Sequence, residues 1–421
     1  LGFSDKKIAL MTNQTEDGIR KLRKKFAILP AVLQIDTLAG EIPVKTNYLY
    51  LTYNATENDV SCIGKNAVLV LGSGPYHIGS SVEFDWSCVY ASTSLKKHKK
   101  KSVIINCNPE TVSTDYDMSY RLYFEDISFE TVANIYEFEN SHGLIISMGG
   151  QRPNALATKF ARAGFNILGT SAENIDRAEN RNTCSAILDS LGIIQPRWRS
   201  FSDIHSAENF AQTVGYPILV RPSYVLSGSA MRVCHTAEDL AYFIAAVSII
   251  SSEHPITLSK FIEYAQELEY DAVAQNGEII IFGISEHVEY AGTHSGDATI
   301  VYPTQHTYAS TEFRINEIAK KIAKVLHITG PFNIQFLVKD EEVMVIEINI
   351  RASRTLPFLS KATGKNFSSM AVDSFFGKAK THKTTYPSQV LVKSPQFSFS
   401  RIPGADPIRR VEMSSTGEAA C

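Results

Sequence analysis

The chain has 421 residues, 44% of them hydrophobic and 20% charged, with a net charge of -3. That length exceeds one ordinary core and calls for two or three domains. No basic excess argues for nucleic acid or an anionic membrane surface as a partner, and no apolar run reaches membrane-spanning length.

Residues 1 to about 60 begin with "EDGIRKLRKKFAIL", whose apolar residues Ile19, Leu22, Phe26 and Ile28 recur at roughly helical spacing. An aromatic, strand-like run, "TNYLYLTYN", follows. This piece is too small to be a domain alone and reads as the end of something upstream. The chain begins at Leu1 rather than Met, so a fragment is expected.

From about residue 61 the pattern becomes strand, turn, helix. "NAVLVLGSG", "KSVIINCNPE" and "HGLIISMGGQ" are three apolar strands ending in loops rich in Gly, Asn or Ser. Such alternation implies a parallel sheet covered on both faces, with ligands at the carboxyl ends of its strands. Gly72, Gly74 and Gly79 do not have dinucleotide-binding spacing, and a tight turn is as good a reading as phosphate binding. Lys96 to Lys101 reads as a solvated helix end. The six cysteines are scattered without a CxxC pair, which fits reduced thiols better than disulfides or zinc.

A second unit starts near 176. "IDRAENRNTCSAILDSLGI" reads as one helix with Arg181 near its start. "YPILVRPSYVLSGSAM" reads as a strand, a Pro turn and a small-residue loop, with Arg221 at the strand end. "ELEYDAVAQNGEIIIFGISEHV" contains an Asn-Gly turn at Asn276 and Gly277, a strong hairpin signal. "GPFNIQFLVKDEEVMVIEINIRASR" is another hairpin, so this unit is α+β with an antiparallel sheet.

The last hairpin carries the most chemistry. Strict alternation puts Val343, Val345, Glu347, Asn349 and Arg351 on one face and Met344, Ile346, Ile348 and Ile350 on the other. A three-residue loop, Asp340 to Glu342, makes Gln335 face Glu347 and Asn333 face Asn349, about 5 Å apart. A two-residue loop puts Gln335 on the wrong face. The oxygen donors suit a hard cation such as Mg²⁺, and Arg351 and Arg354 suit phosphate oxygens. A surface strand with a mixed polar face is the plainer alternative, but a buried, unpaired Glu347 would be costly without a metal or arginines beside it. His294, Ser295 and Asp297 sit in a small-residue loop, and Glu267 is either a ribose ligand or an exposed acid. With no base–nucleophile pair in view, the chemistry that fits is phosphoryl transfer.

At this point the motifs "LGSGPYHIGSSVEFDW", "NCNPETVSTDYD", "RPSYVLSGSAM", "EHVEYAGTHSGDA", "GPFNIQF" and "IEINIRASRTLPFLSKATG" resemble the large chain of carbamoyl phosphate synthetase over nearly the whole length. "NPETVSTDYD" and "RPSYVLSG" resemble its second, carbamate-phosphorylating ATP-grasp half. Ile350 departs from the Pro found there in bacterial members.

The resemblance implies the end of an oligomerisation region at 1–60 and a Rossmann-like α/β pre-ATP-grasp domain at 61–175. It implies an ATP-grasp domain at 176–380 with a lid at about 195–255, and a segment at 381–421 leading towards a regulatory domain. It implies nucleotide contacts from Arg181, Lys260, Ile262, Glu267, Gly292, Thr293, His294 and Ser295. Gln335, Glu347 and Asn349 would hold two Mg²⁺ or Mn²⁺ ions, with Gln335 and Glu347 also facing the ATP phosphates. Arg351, Arg354 and Asn349 would serve the transfer of phosphate from ATP to carbamate.

Implied partners are carbamate, bicarbonate and ammonia as small-molecule substrates, a first synthetase half, and a glutaminase or glutaminase-like domain, in the mitochondrial matrix or the cytoplasm. Neither nucleic acid nor membrane is expected. The alternative is a non-catalytic nucleotide-binding or scaffolding fragment of such an enzyme.

Overall fold

A computed structural model describes residues 2–43, 46–77, 82–222, 231–246, 255–398 and 410–421. Three sheets organise it. The first contains β1 (Ala31–Gln34), β2 (Tyr48–Thr52), β3 (Ala67–Leu71), β4 (Lys101–Ile105), β5 (Arg121–Tyr123) and β6 (Gly143–Ile145), in the order β1-β2-β5-β4-β3-β6. The pairs among β2 to β6 are parallel, as the apolar runs indicated, and β1 adds antiparallel to β2. β3 is buried throughout because helices cover both faces. Gly149, just after β6, lies so close to β3 that a Cβ there would sit 2.3 Å from the Gly72 carbonyl oxygen. Lys96–His98 is a short 3₁₀ turn ending helix Val82–Leu95, in keeping with a solvated helix end.

The second sheet is small and antiparallel, ordered β7-β10-β8-β9, with β7 (Trp198–Phe201), β8 (Ile218–Pro222), β9 (Arg232–Cys234) and β10 (Ile256–Lys260). Helices Ile204–Val214 and Ala237–Ala246 close its own core around Val220, Leu240 and Leu258. Most of the small-residue loop expected after β8, and Gly79 of the first glycine loop, lie outside the described residues.

The third sheet has seven strands: β11 (Gln266–Gln275), β12 (Glu278–Tyr290), β13 (Ile300–Tyr302), β14 (Gly330–Lys339), β15 (Glu342–Asn349), β16 (Leu391–Gln396) and β17 (Gly417–Ala420). Their order is β15-β14-β11-β12-β13-β16-β17, and every neighbouring pair is antiparallel. The Asn276-Gly277 turn forms as expected, with both residues left-handed. Pairing runs across residues 60 and 381: β2 joins β5, and β16 and β17 extend the large sheet.

Two departures from the sequence reading have local causes. The helix expected over 175–193 is two helices, Ala172–Glu179 and Arg181–Ser190, because Asn180 turns extended (φ -72°, ψ 111°) and its side chain caps the second. The helix expected over residues 16 to 29 spans only Glu16–Lys25, leaving Phe26 and Ile28 exposed beyond it. No helix among the described residues is long and apolar enough to cross a membrane.

Candidate functional site

A cleft of about 360 Å³ lies between the small sheet and the large one. Such a volume is in the range of small-ligand sites. Its large-sheet wall is the β14–β15 hairpin. The hairpin loop has two residues, Asp340 and Glu341, both left-handed (φ 49° and 64°), rather than three. A regular hairpin of that kind would pair Gln335 with Ile346. One β-bulge leaves Ile346 unpaired and restores the pairs Gln335↔Glu347 and Asn333↔Asn349. The expected pairing therefore holds by a different route.

The bulge also reverses the side-chain alternation. Val343 and Val345 share the main core with Ile348 and Ile350, instead of a face with Glu347. Met344 packs with Leu337 and Ala265, against Ile262, Ala291 and Ile346. Glu347 is exposed to the cleft, and among the described residues its carboxylate accepts no hydrogen bond. The expectation of a buried Glu347 is thus corrected: the cleft, not a protein partner, solvates it.

Every candidate nucleotide contact lines this cleft. Arg181 begins helix Arg181–Ser190, stacks its guanidinium 4.8 Å from the Trp198 ring and donates to Ser259 at 3.2 Å. Its Nε is buried and unpartnered among the described residues. Burial and nearby Arg221 push Arg181 down to about 10, so it stays cationic at neutral pH. Lys260 differs from expectation in one respect, because its ammonium donates to the Gly215 and Tyr216 carbonyls at 3.0 and 2.7 Å. Ile262 belongs to the apolar patch, whose Ile262, Ala291, Leu337 and Ile346 line the cleft.

Gly292, Thr293, His294 and Ser295 form the roof. Gly292 has φ +112° and approaches Phe261 so closely that a Cβ would lie 2.9 Å from its ring. Burial and the Arg354 charge push His294 down to about 4, so its ring is neutral at pH 7. Its Nδ1 accepts from the Gly296 N–H at 3.0 Å, leaving Nε2 as the protonated nitrogen.

The segment after residue 410 holds this roof in place. The His294 N–H donates to the Arg410 carbonyl at 2.7 Å, and Asp297 accepts the Ser414 and Ser415 N–H groups at 2.8 Å each.

Glu267 lies in the cleft floor, buried, and burial pushes it up to about 7. His287 lies between it and Glu269, with Nδ1 3.9 Å from Glu267 and Nε2 3.1 Å from Glu269. Burial alone lowers the His287 pKa, but these two carboxylates hold it above the ordinary value.

Arg351 and Arg354 do not line the cleft themselves; Arg351 stands next to it through Asn349. Arg351 donates from Nε to Gln151 at 3.0 Å and from a terminal nitrogen to the Asn349 Oδ1 at 3.1 Å. Burial lowers its pKa, while Glu347 acts in the opposite direction. Arg354 forms an ion pair with Glu83 at 3.2 Å. Glu83 and Gln151 come from the first unit, some 200 residues or more away in sequence, and no local signal pointed to them.

The cleft thus offers an apolar wall, a buried carboxylate and an amide–carboxylate–amide hairpin face, with the Arg351 guanidinium adjoining that face through Asn349. That set can hold an aromatic base, a sugar, a metal-bound polyphosphate and a second anion.

Residues 64–177 match the carbamoyl phosphate synthase preATP-grasp domain, and residues 177–376 match the carbamoyl-phosphate synthase L chain, ATP binding domain. The chain belongs to the carbamoyl phosphate synthase large-chain family.

It is 52% identical over 423 residues to the multifunctional protein CAD of Squalus acanthias, covering all of this chain and 19% of that protein. It is 50% identical over 432 residues to the arginine-specific carbamoyl phosphate synthase large chain of Eremothecium gossypii, covering all of this chain and 39% of that one. The chain therefore spans well under half the length of these relatives.

The biotin carboxylase domain of the Hydrogenobacter thermophilus 2-oxoglutarate carboxylase matches with a TM-score of 0.62 at 15% identity, over 78% of this chain and 74% of that one. An N5-carboxyaminoimidazole ribonucleotide synthetase, purK, matches with a TM-score of 0.63 at 10% identity, over 86% and 93%. At such identities these likenesses establish the fold, a pre-ATP-grasp domain followed by an ATP-grasp domain.

Proposed function

We propose that the chain transfers the γ-phosphoryl group of ATP to carbamate, as the second synthetase half of a carbamoyl phosphate synthase. The observation that carries this reading is the hairpin face Gln335–Glu347–Asn349 opening to the cleft beside Arg351 and Arg354.

The donor set fits Mg²⁺ or Mn²⁺, which bind through one or two carboxylates and leave positions for phosphate oxygens. Among the described residues no cluster of three or more His, Cys, Asp or Glu is arranged to hold a metal alone. Gln335, Glu347 and Asn349 would hold two ions in company with the nucleotide, and those ions supply charge neutralisation at the phosphates. The second lone pair of Asn349 Oδ1 remains for this role while Arg351 uses the first.

The patch of Ile262, Leu337 and Ile346 seats the base, Glu267 accepts from ribose hydroxyls, and Arg181 and neutral His294 donate towards phosphates. Arg351 and Arg354 orient carbamate so that its oxygen attacks the γ-phosphorus as the bond to ADP breaks. Their charges stabilise the transferring group. Carbamate itself would come from bicarbonate and ammonia through a first half and a glutaminase-like domain.

The test is the reverse reaction: purified chain, Mg-ADP and carbamoyl phosphate, with ATP measured by luminescence. ATP formation supports the reading. Bicarbonate-stimulated ATP hydrolysis without ATP formation from carbamoyl phosphate would assign the chain to bicarbonate instead. A folded chain with neither activity favours the non-catalytic alternative.

A further inference from the structure

The turn from Arg351 to Thr355 carries both arginines, and it is pinned from two sides. On the side of the first unit, the Ala352 N–H donates to the Ser147 carbonyl at 2.8 Å, and Gln151 and Glu83 meet Arg351 and Arg354. On the other side stands Asp271, fully buried on β11 opposite Asn333. The Ser353 hydroxyl donates to Asp271 Oδ1, and Thr355 Oγ1 lies 2.5 Å from Asp271 Oδ2. Ser353 Oγ in turn accepts the Leu356 N–H at 3.0 Å, where helix Leu356–Thr363 begins. Asn333 Nδ2 completes the shell, donating to Asp271 at 2.9 Å and to Glu269 at 3.0 Å.

Both neighbours of Arg354 therefore bring their hydroxyls to Asp271, Ser353 to it alone and Thr355 to it and to Glu269 Oε2, 2.9 Å away. Asp271 does not line the cleft. A second buried carboxylate beside Glu269 opposes folding, and an apolar pair would fill the space more stably. What a carboxylate adds is two oxygens in fixed relation, each able to hold one flanking hydroxyl.

We propose that Asp271 is a positioning residue for phosphoryl transfer, acting through Ser353 and Thr355 to aim Arg354 at the transferring group. The proposal rests on the phosphoryl-transfer reading above.

It is tested with Asp271→Asn in the reverse assay. An amide keeps the shape but offers one acceptor oxygen instead of two. The expected result is a kcat lower by about tenfold to a hundredfold with KM for ADP within about twofold of wild type, because the base, ribose and metal contacts are untouched. In an Arg354→Lys background the same substitution is expected to add little.

A folded Asp271→Asn chain with kcat within about twofold of an active wild type overturns the proposal and leaves the phosphoryl-transfer reading standing. So does a loss that multiplies in full with that of Arg354→Lys. If Asp271→Asn does not fold, Ser353→Ala decides by the same kcat criterion. If the wild type makes no ATP, hydrogen exchange at the 352–356 amides decides: faster exchange in Asp271→Asn supports the anchor, and unchanged exchange overturns it.

Discussion

Glu347→Gln is the substitution with the clearest expected outcome. Glu347 is the one carboxylate between two amides on the hairpin face, and it is exposed to the cleft without a hydrogen bond among the described residues. Glutamine keeps its shape and its oxygen and removes its charge.

Two unit charges about 4 Å apart interact by about 4 kcal/mol at an effective dielectric of about 20, and a divalent ion doubles the charge on one side. Screening by water in the open cleft offsets part of this, so about 4 kcal/mol is taken as the net. That corresponds to about a thousandfold in rate. The fold loses nothing, so the melting temperature is expected to stay within about 2 °C of wild type.

The assay is the initial rate of ATP formation from carbamoyl phosphate across a Mg²⁺ titration, beside a thermal melt. A rate within about tenfold of wild type would refute the assignment of the hairpin as the metal face. A melting point lowered by more than about 5 °C would refute the claim that Glu347 is free of structural duty.

Three further outcomes are expected. Burial raises Glu267 to about 7, above its unfolded value of about 4.3, so the native state binds more protons and stability falls as pH rises from about 4.5 through 7. Glu267→Gln should remove on the order of 3 kcal/mol of that decline, read by denaturant melts at several pH values. Glu341 is left-handed at φ 64°, so Glu341→Gly should stabilise the hairpin by about 0.5–1 kcal/mol with no change in activity, seen as a higher denaturant midpoint. Asp297→Ala leaves the Ser414 and Ser415 N–H groups without their carboxylate and should cost about 2–3 kcal/mol, with faster hydrogen exchange at 410–416.

The strands were legible wherever apolar runs were long. β3, β4 and β6 and the two hairpins of the large sheet follow from composition and turn residues alone. β5 has three residues in a polar stretch and pairs only because β2 and β4 flank it, so no local pattern marks it.

The hairpin pairs Gln335–Glu347 and Asn333–Asn349 were read correctly, whereas Val343 and Val345 fall on the other face and the loop is one residue shorter. Alternation has a fixed period of two and cannot foresee a bulge, yet Ile346 is what turns Glu347 and Asn349 towards the cleft. The second layer of the site was illegible for a different reason. Glu83, Gln151, Asp271 and the segment from Arg410 support the site through contacts between residues about 80 to 270 positions apart in sequence. The motifs that carry the family resemblance supplied the candidate nucleotide contacts, all of which line the cleft. They did not indicate that the Lys260 ammonium is already bound by two carbonyls.

The central claim is that Gln335, Glu347 and Asn349 form a metal face aimed at nucleotide phosphates. The most direct measurement is a crystal structure of the chain with Mn²⁺ and ADP, using the manganese anomalous signal. The account predicts anomalous peaks within about 2.5 Å of side-chain oxygens of these three residues, with diphosphate oxygens completing the coordination. Manganese bound elsewhere, or ADP seated in the cleft with its phosphates turned away from the hairpin, would contradict it.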